Sequence, residues 1–408
     1  MRNRIILAIG LTISLLGRVN GQEIASPPSS PVQTWSEEPN AAGMPAENFT
    51  FAPANENGWI TADFLFGWVE GAHLPTLVTT SDPVPADMTT AGVLGQAGTK
   101  TLLKGTTSHG IAPGFRLGAG YIFDQENGQG IEAGFIYLPG QSSTNFFQSS
   151  VDLPVLARPF FDPVAELQAS EVVAFPGNTT SGNITVDTKN ANFYAINLDL
   201  SERIWGDAGQ RLDVLFGYRY ADFGDGLSIR QHSALTPNLQ GIATIDRLDD
   251  FSSRNVFHGL DLGLRGTISG DQWSLNLLGK VAPGNMTQTV DIRGRSVTTF
   301  ASGASTSVPA GVYALSSNSG SHETNSWTVL PEVGANFNWK LRSNLALRLG
   351  YSALFLVNVA KADDQIDFNI NKALIGAPAG ATPKQPAYPA SQSHLWIQTL
   401  NVGLEMTF

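Results

Sequence analysis

The residues of this chain best able to move protons near neutral pH are its six histidines, His73, His109, His232, His258, His322 and His394. Those best able to gather a divalent cation are two acid clusters, Asp246 with Asp249 and Asp250, and Asp363 with Asp364 and Asp367. Nucleophilic catalysis needs a nucleophile, a base and an orienting group within hydrogen-bond reach. Five of the histidines fall in long connecting segments, where only His73 and His109 share one, and His258 lies on the apolar register near a strand end. No His-Glu-x-x-His helix pattern and no Asp-x-Asp-x-Asp-Gly calcium loop occurs, and the chain has no cysteine. The reading is therefore of a chain that is not an enzyme, with no catalytic residue, no metal site and no cofactor, whose acid clusters are solvated loop charge.

A second set of charges is spaced regularly. Asp63, Glu132, Asp199, Asp213, Asp261, Glu332 and Glu405 stand with Arg116, Arg211, Arg219, Arg265, Lys280 and Arg348, each inside a segment where every second residue is apolar and each on the non-apolar positions. Strict alternation marks a strand with one oily and one polar face. The apolar faces are Ile60 to Trp68, Phe115 to Phe123, Ile131 to Tyr137, Tyr194 to Leu200, Leu212 to Tyr220, Val256 to Leu264, Trp273 to Val281, Trp327 to Trp339, Leu345 to Phe355 and Trp396 to Phe408. These are ten strands. Short turns such as DQENGQ, TISGD and KLRSN alternate with connections of roughly 35 to 55 residues, lengths improbable for loops inside a compact soluble domain. Short turns on one side and long loops on the other are what an up-and-down barrel with both ends on the turn side requires.

Composition agrees. Of 408 residues only 14% are charged, 42 are glycine, mean hydropathy is -0.03, and no apolar run reaches the roughly 18 residues of a spanning helix. A membrane protein built from strands dilutes its lipid-facing residues with lumen residues in this way. A charge facing lipid at mid-depth costs about 2–4 kcal/mol for Arg or Lys, so seven acids and six bases sharing one register belong in an interior. Many remaining inner positions are glycine, among them Gly134, Gly217, Gly350 and Gly403, and the expectation is that they leave room for water. Trp68, Tyr121, Tyr137, Tyr218, Tyr220, Trp273, Trp327, Trp339, Tyr351 and Trp396 fall on the outward register, as an interfacial girdle demands. A net charge of -11 argues against nucleic acid as partner.

The N-terminus reads as an address. Arg2 and Arg4 precede the apolar stretch Ile5 to Leu16, and Val19-Asn20-Gly21 offers a cleavage site, so residues 1–21 are expected to be a signal peptide. Residues 22–57, rich in Pro, form an extended leader, and 58–408 the barrel. The pieces Leu227 to Gln231 and Thr287 to Ile292 are read as extensions of wall strands; counted as separate strands they would make twelve. In the loops, Ala157 to Phe161 (ARPFF) is the one sticky stretch, expected to pack the loops together rather than constrict a pore.

The terminal Phe408 resembles the assembly signal of bacterial outer-membrane barrels. The segments LPTLVTTS (Leu74 to Ser81), PVLARPFFDP (Pro154 to Pro163), LDVLFGYRYADFGDGLSI (Leu212 to Ile229), SRNVFHGLDLGLRG (Ser253 to Gly266), LLGKVAPGNMTQTVDIRG (Leu277 to Gly294) and VLPEVGANFNW (Val329 to Trp339), in this order, resemble a family of beta-barrel porins abundant in planctomycete-type bacteria. The resemblance implies a barrel in the bacterial cell outer membrane, with outer-membrane lipid and the barrel-assembly machinery as partners, and brings no catalytic or ligand residues with it. The expected fold is all-β, a transmembrane antiparallel barrel of ten strands, or twelve, with long extracellular loops and short periplasmic turns. The expected function is a narrow pore for small hydrophilic solutes; the alternative is a plugged barrel acting in structure, adhesion or surface attachment through its loops.

Overall fold

The computed structural model describes residues 57–82, 88–207, 209–237, 241–377 and 382–408. The expected signal peptide, and the leader up to residue 56, lie outside the described residues. Seventeen strands run β1 Gly58–Val69, β2 His73–Thr80, β3 Lys100–Thr106, β4 Ala112–Asp124, β5 Gln129–Leu138, β6 Ser142–Gln148, β7 Leu156–Asp162, β8 Leu167–Ala174, β9 Thr179–Asn190, β10 Phe193–Gly206, β11 Gln210–Leu235, β12 Ile242–Ser269, β13 Trp273–Phe300, β14 Ser305–Val308, β15 Gly320–Arg342, β16 Leu345–Val359 and β17 Ser393–Thr407. Among the described residues there is no α-helix, only two single 3-10 turns.

The antiparallel ladders β1–β4–β5–β10–β11–β12–β13–β15–β16–β17 return to β1, so the pairing closes on itself. At the seam Trp59 pairs with Thr407 and Val69 with Ile397, and the Gly58 and Phe408 amides and carbonyls exchange bonds of 2.9 Å. Alternation decides which way each side chain faces. Ile60, Phe64, Phe66, Phe115, Leu117, Leu198, Phe216, Leu260, Leu277, Val333, Leu349 and Leu404 are exposed outside the ring, while their sequence neighbours point in. One end of the ring carries the short turns, Gly58 and Phe408; the other carries the long connections.

Those connections are ordered structure. β11, β12 and β13 run 26, 28 and 28 residues without a break, so Leu227 to Gln231 and Thr287 to Ile292 are continuations of β11 and β13. β9 pairs with the loop-end half of β11, and β6 pairs with β9. On the inner register of this extended sheet lies a second sheet, ordered β3–β2–β7–β8. Leu77, Val78, Leu156, Phe160 and Val173 of the small sheet share one buried cluster with Ile184, Val186, Leu227, Ile229, Phe251, Val290 and Ile292 of the large one. Each such side chain contributes about 1.5–3 kcal/mol by leaving water. The sticky ARPFF stretch is β7, and it does pack the loops together: Phe160 is buried in this cluster.

The centre of this apical layer is a charge. Arg158, fully buried, reaches Asp249 at 2.6 Å and Gln231 at 3.0 Å and lies 4.4 Å over the Tyr313 ring. The other oxygen of Asp249 accepts the backbone amides of Val312, Tyr313 and Ala314 at 2.7–2.9 Å, and the Tyr313 hydroxyl donates to the Pro159 carbonyl at 3.0 Å. One ion pair thus joins β7, β12 and the segment before β15. Removing one partner of such a pair leaves an uncompensated buried charge, at a cost of about 3–5 kcal/mol. Arg158→Met is expected to loosen the apical layer by that amount, measured as faster amide exchange in β2, β7 and β8 with exchange in β1 and β17 unchanged.

A second buried acid makes this layer sensitive to pH. Asp225 on β11 accepts the Ala362 amide at 2.9 Å and a bond from Ser253, close to Asp363 and Lys361; burial foremost, and the Asp363 charge, push its carboxyl from 3.8 up to about 7. Burial raises Asp363 as well, the nearby Lys361 opposing it. A carboxyl with a raised folded-state pKa binds its proton better folded than unfolded, so its contribution is complete below about pH 4 and is lost as pH rises through about 7. Amide exchange around Ala360–Asp363 is expected to quicken over that range, and Asp225→Asn to flatten the change.

Candidate functional site: the interior of the strand ring

The inner register brings the thirteen spaced charges together, and every strand of the closed ring supplies at least one: Asp63 from β1, Arg116 from β4, Glu132 from β5, Asp199 from β10, Arg211, Asp213 and Arg219 from β11, Asp261 and Arg265 from β12, Lys280 from β13, Glu332 from β15, Arg348 from β16 and Glu405 from β17. Twelve of them form three linked groups. Arg265 grips both oxygens of Glu132 at 2.7 Å and meets Asp213 at 3.1 Å, where Arg211 also arrives at 3.3 Å. Lys280 bridges Asp199 at 2.6 Å and Asp261 at 2.9 Å, and Arg219 bridges Asp261 at 3.0 Å and Glu332 at 2.7 Å. Arg348 meets Asp63 at 3.3 Å and Glu405 at 3.1 Å. Arg116 donates to the Ser352 hydroxyl at 2.6 Å.

Asp261 and Asp199 are 0% and 1% exposed, Arg219 and Asp213 4%. A wet passage would leave such groups accessible to water; these are closed in by one another. The inner glycines explain how. At Gly134, Gly217, Gly350 and Gly403 an added Cβ would strike Asn197, Asp199, Asn336 and Asp63 respectively, so a neighbouring polar side chain occupies the volume each glycine frees. The expectation that these glycines leave room for water is corrected: they seat the network rather than hydrate it.

A second layer, which the alternation did not signal, crosses the ring toward the loop end. Leu65, Ala112, Leu138, Phe193, Phe223, Phe257, Met286, Leu330, Leu356 and Ile397 all point inward, one from each ring strand, and each is at most 2% exposed within one apolar cluster. The signal was present in the sequence as apolar pairs and triplets at strand ends, Phe64-Leu65-Phe66, Leu354-Phe355-Leu356 and Leu395-Trp396-Ile397. An oily residue on both registers means that both faces are covered by apolar matter.

The residues read first as possible chemistry are dispersed. His73 bonds Glu70 at 3.1 Å and the Thr106 hydroxyl at 2.9 Å in an exposed line at the loop end; His109 bonds Thr188 at 3.1 Å; His232 meets Asp246 at 2.7 Å; His258 meets the Tyr218 hydroxyl at 2.5 Å on the outward face; His322 stacks on Tyr388. His394 is exposed near the start of β17. Asp249 is spent on Arg158, Asp363 takes the His73 amide at 2.5 Å, and Asp367 accepts from Asn369 and the Ala387 amide, so the acids of each cluster turn to different partners. Among the described residues no three His, Asp or Glu side chains converge on one point.

Solved structures similar to this chain include the outer membrane protease OmpT from Escherichia coli, 9% identical, covering 89% of this chain and 99% of its own at a TM-score of 0.43. Ail, the attachment invasion locus protein of Yersinia pestis, is 10% identical over 86% and 99% at 0.22, and the P. putida toluene transporter TodX 8% over 88% and 91% at 0.20. None is similar enough to lend its activity. No curated protein matches the chain. The family model described as putative beta barrel porin-7 (BBP7) matches residues 59–408, and the chain belongs to that family.

Proposed function

We propose that this protein is a sealed ten-stranded barrel of the bacterial outer membrane whose work is done by the folded layer it holds at the cell surface, in structure, adhesion or attachment, and that it is not an enzyme. The observation that carries the sealed reading is the double closure of the interior: an ion-pair network drawn from nine of the ten strands, with Arg116 of the tenth bonded to Ser352, beneath an apolar ring drawn from all ten. Ten strands enclose little more than the eight that side chains can fill. Support for the membrane comes from the outward register. It is apolar from Ile60 to Trp68 and from Trp396 to Met406 apart from Gln398, about the 9–11 residues a tilted spanning strand needs. Trp273, Trp339 and Tyr121 stand toward the turn end, and Trp68, Trp327 and Trp396 toward the loop end, as two interfacial girdles. Outer-membrane lipid and the barrel-assembly machinery, reading the terminal Phe408, are the partners this implies; nucleic acid is not.

The family's porin description favours the other reading, a narrow pore for small hydrophilic solutes. The two differ in a planar bilayer. Wild-type protein is expected to insert without steady conductance, Phe223→Ala with Phe257→Ala, which opens only the apolar ring, to stay closed, and the same pair combined with Arg219→Gln, which breaks the ion-pair layer beneath, to create one. A stable open-channel current from the wild type would restore the pore. Arg219→Gln leaves Asp261 and Glu332 without that cation and is expected to cost about 3–5 kcal/mol of barrel stability, measured by urea unfolding in detergent; a change of ion selectivity at unchanged stability would count for a water-lined lumen.

Topology is tested by labelling, for which the chain has no native cysteine. Asp207→Cys in a short turn and Asn178→Cys between β8 and β9 must face opposite sides of the membrane. An impermeant reagent on intact cells should reach position 178 alone, and equal labelling of both would overturn the arrangement.

A further inference from the structure

On the outward face, the ladders β16–β17–β1 set side chains in rows across three strands. Phe355, Trp396 and Glu70 form one row, Ala353, Gln398 and Trp68 the next, and Tyr351, Leu400 and Phe66 the third. The middle row is the odd one. Ala353 is its smallest member, and beside it the surface dips into a shallow, open notch of about 390 Å³ lined by Trp68, Tyr351, Trp396, Gln398 and Leu400.

The floor of that notch carries a polar group with nothing to bond. Gln398 faces outward on a strand whose other outward residues from Trp396 to Met406 are apolar, and among the described residues no protein group bonds its side-chain amide. Its level in the membrane follows from the strand. Ten residues separate it from the terminal Phe408, about 26 Å along the barrel axis at 3.4 Å per residue and a tilt near 40°, and the apolar band of such a barrel is about 25 Å tall. Gln398 therefore sits where the acyl chains of the outer leaflet begin, below the polar rim of Glu70 and His73 and between tryptophans suited to that boundary. Water is scarce at this depth, and a free amide there is costly.

We propose that the notch is a seat for the amide-linked acyl chain of an outer-leaflet lipid. The chain would lie against Tyr351 and Leu400, and its linkage would face Gln398. A glutamine amide offers both N–H donors and a carbonyl acceptor. An ester linkage can only accept, and leaves the Gln398 carbonyl unmet; an amide linkage donates and accepts, and meets both. The notch has the graded polarity of one lipid: polar rim, hydrogen-bonding linkage level, apolar base.

The inference rests on the membrane reading above, and the two can fail separately. Barrel refolded in detergent is first floated with liposomes, which tests insertion alone. The inserted protein, returned to detergent, is then titrated with ceramide or with diacylglycerol of the same chain lengths, probes that differ chiefly in amide against ester linkage, and retained lipid is counted by native mass spectrometry. Wild type is expected to hold ceramide about five- to tenfold more tightly, the size of one hydrogen bond in a membrane. Gln398→Leu should erase the preference while keeping general lipid retention, and Leu400→Trp, filling the notch from its lining, should lower retention of both probes. Both sites face outward, so flotation of the variants should match the wild type. Equal retention of the two probes by wild type, a preference that survives Gln398→Leu, or a second copy of the chain found in place of lipid would each overturn the proposal.

Discussion

Closure of the ladder between β1 and β17 is the constraint on which everything else hangs. Once the first and last ring strands pair, no backbone edge is left along the wall, which is the condition for strands to stand in lipid. Closure also fixes the inside. The inner register of ten strands becomes one shared volume, and charges that are hundreds of residues apart in sequence, Asp63 with Arg348 and Glu405 for example, are brought within ion-pair distance because β1, β17 and β16 are neighbours. An open sheet would leave them as solvated singles worth little. In the ring they are mutual solvent, and taking away a bridging cation strands its partners.

The same closure explains what the sequence disclosed and what it hid. Period-two alternation reports a residue whose two faces meet different surroundings, so the ring strands could be read directly, as could the continuity of Leu227 to Gln231 with its strand. Where both faces are covered by apolar matter the alternation lapses, and the inward ring of Leu65, Leu330, Leu356 and Ile397 leaves no period-two signal. The inner glycines were misjudged for a related reason: composition shows that volume is vacant at Gly217 or Gly403 but not that Asp199 or Asp63 moves into it. The apical layer was least visible. Arg158 and Asp249 stand 91 residues apart and Tyr313 bonds a carbonyl 154 residues away, separations that leave no local trace. The ARPFF stretch announced burial for Phe160 but said nothing of the arginine beside it.

The interior and the apical layer solve the burial of charge differently. Within the ring, acids and bases are nearly equal in number, and Lys280, Arg219, Arg265 and Arg348 each contact two acids, so the loss of one cation is felt on two strands at once. In the apical layer one arginine faces one aspartate, and the surplus hydrogen-bonding capacity of Asp249 is met by three backbone amides. The first device ties strands together; the second ties loops to a strand.

β11, β12 and β13 pass from the ring into the apical sheet as uninterrupted strands of 26 to 28 residues, paired along that length. A load applied to the apical layer would therefore be carried down the length of these strands into the wall. Hydrogen bonds perpendicular to a pulled strand resist in shear, many at a time, whereas a flexible tether would yield its bonds in succession. With no hinge along these strands, traction on the apical layer becomes traction on the whole ring, and the molecule is built as a rivet rather than as a leash.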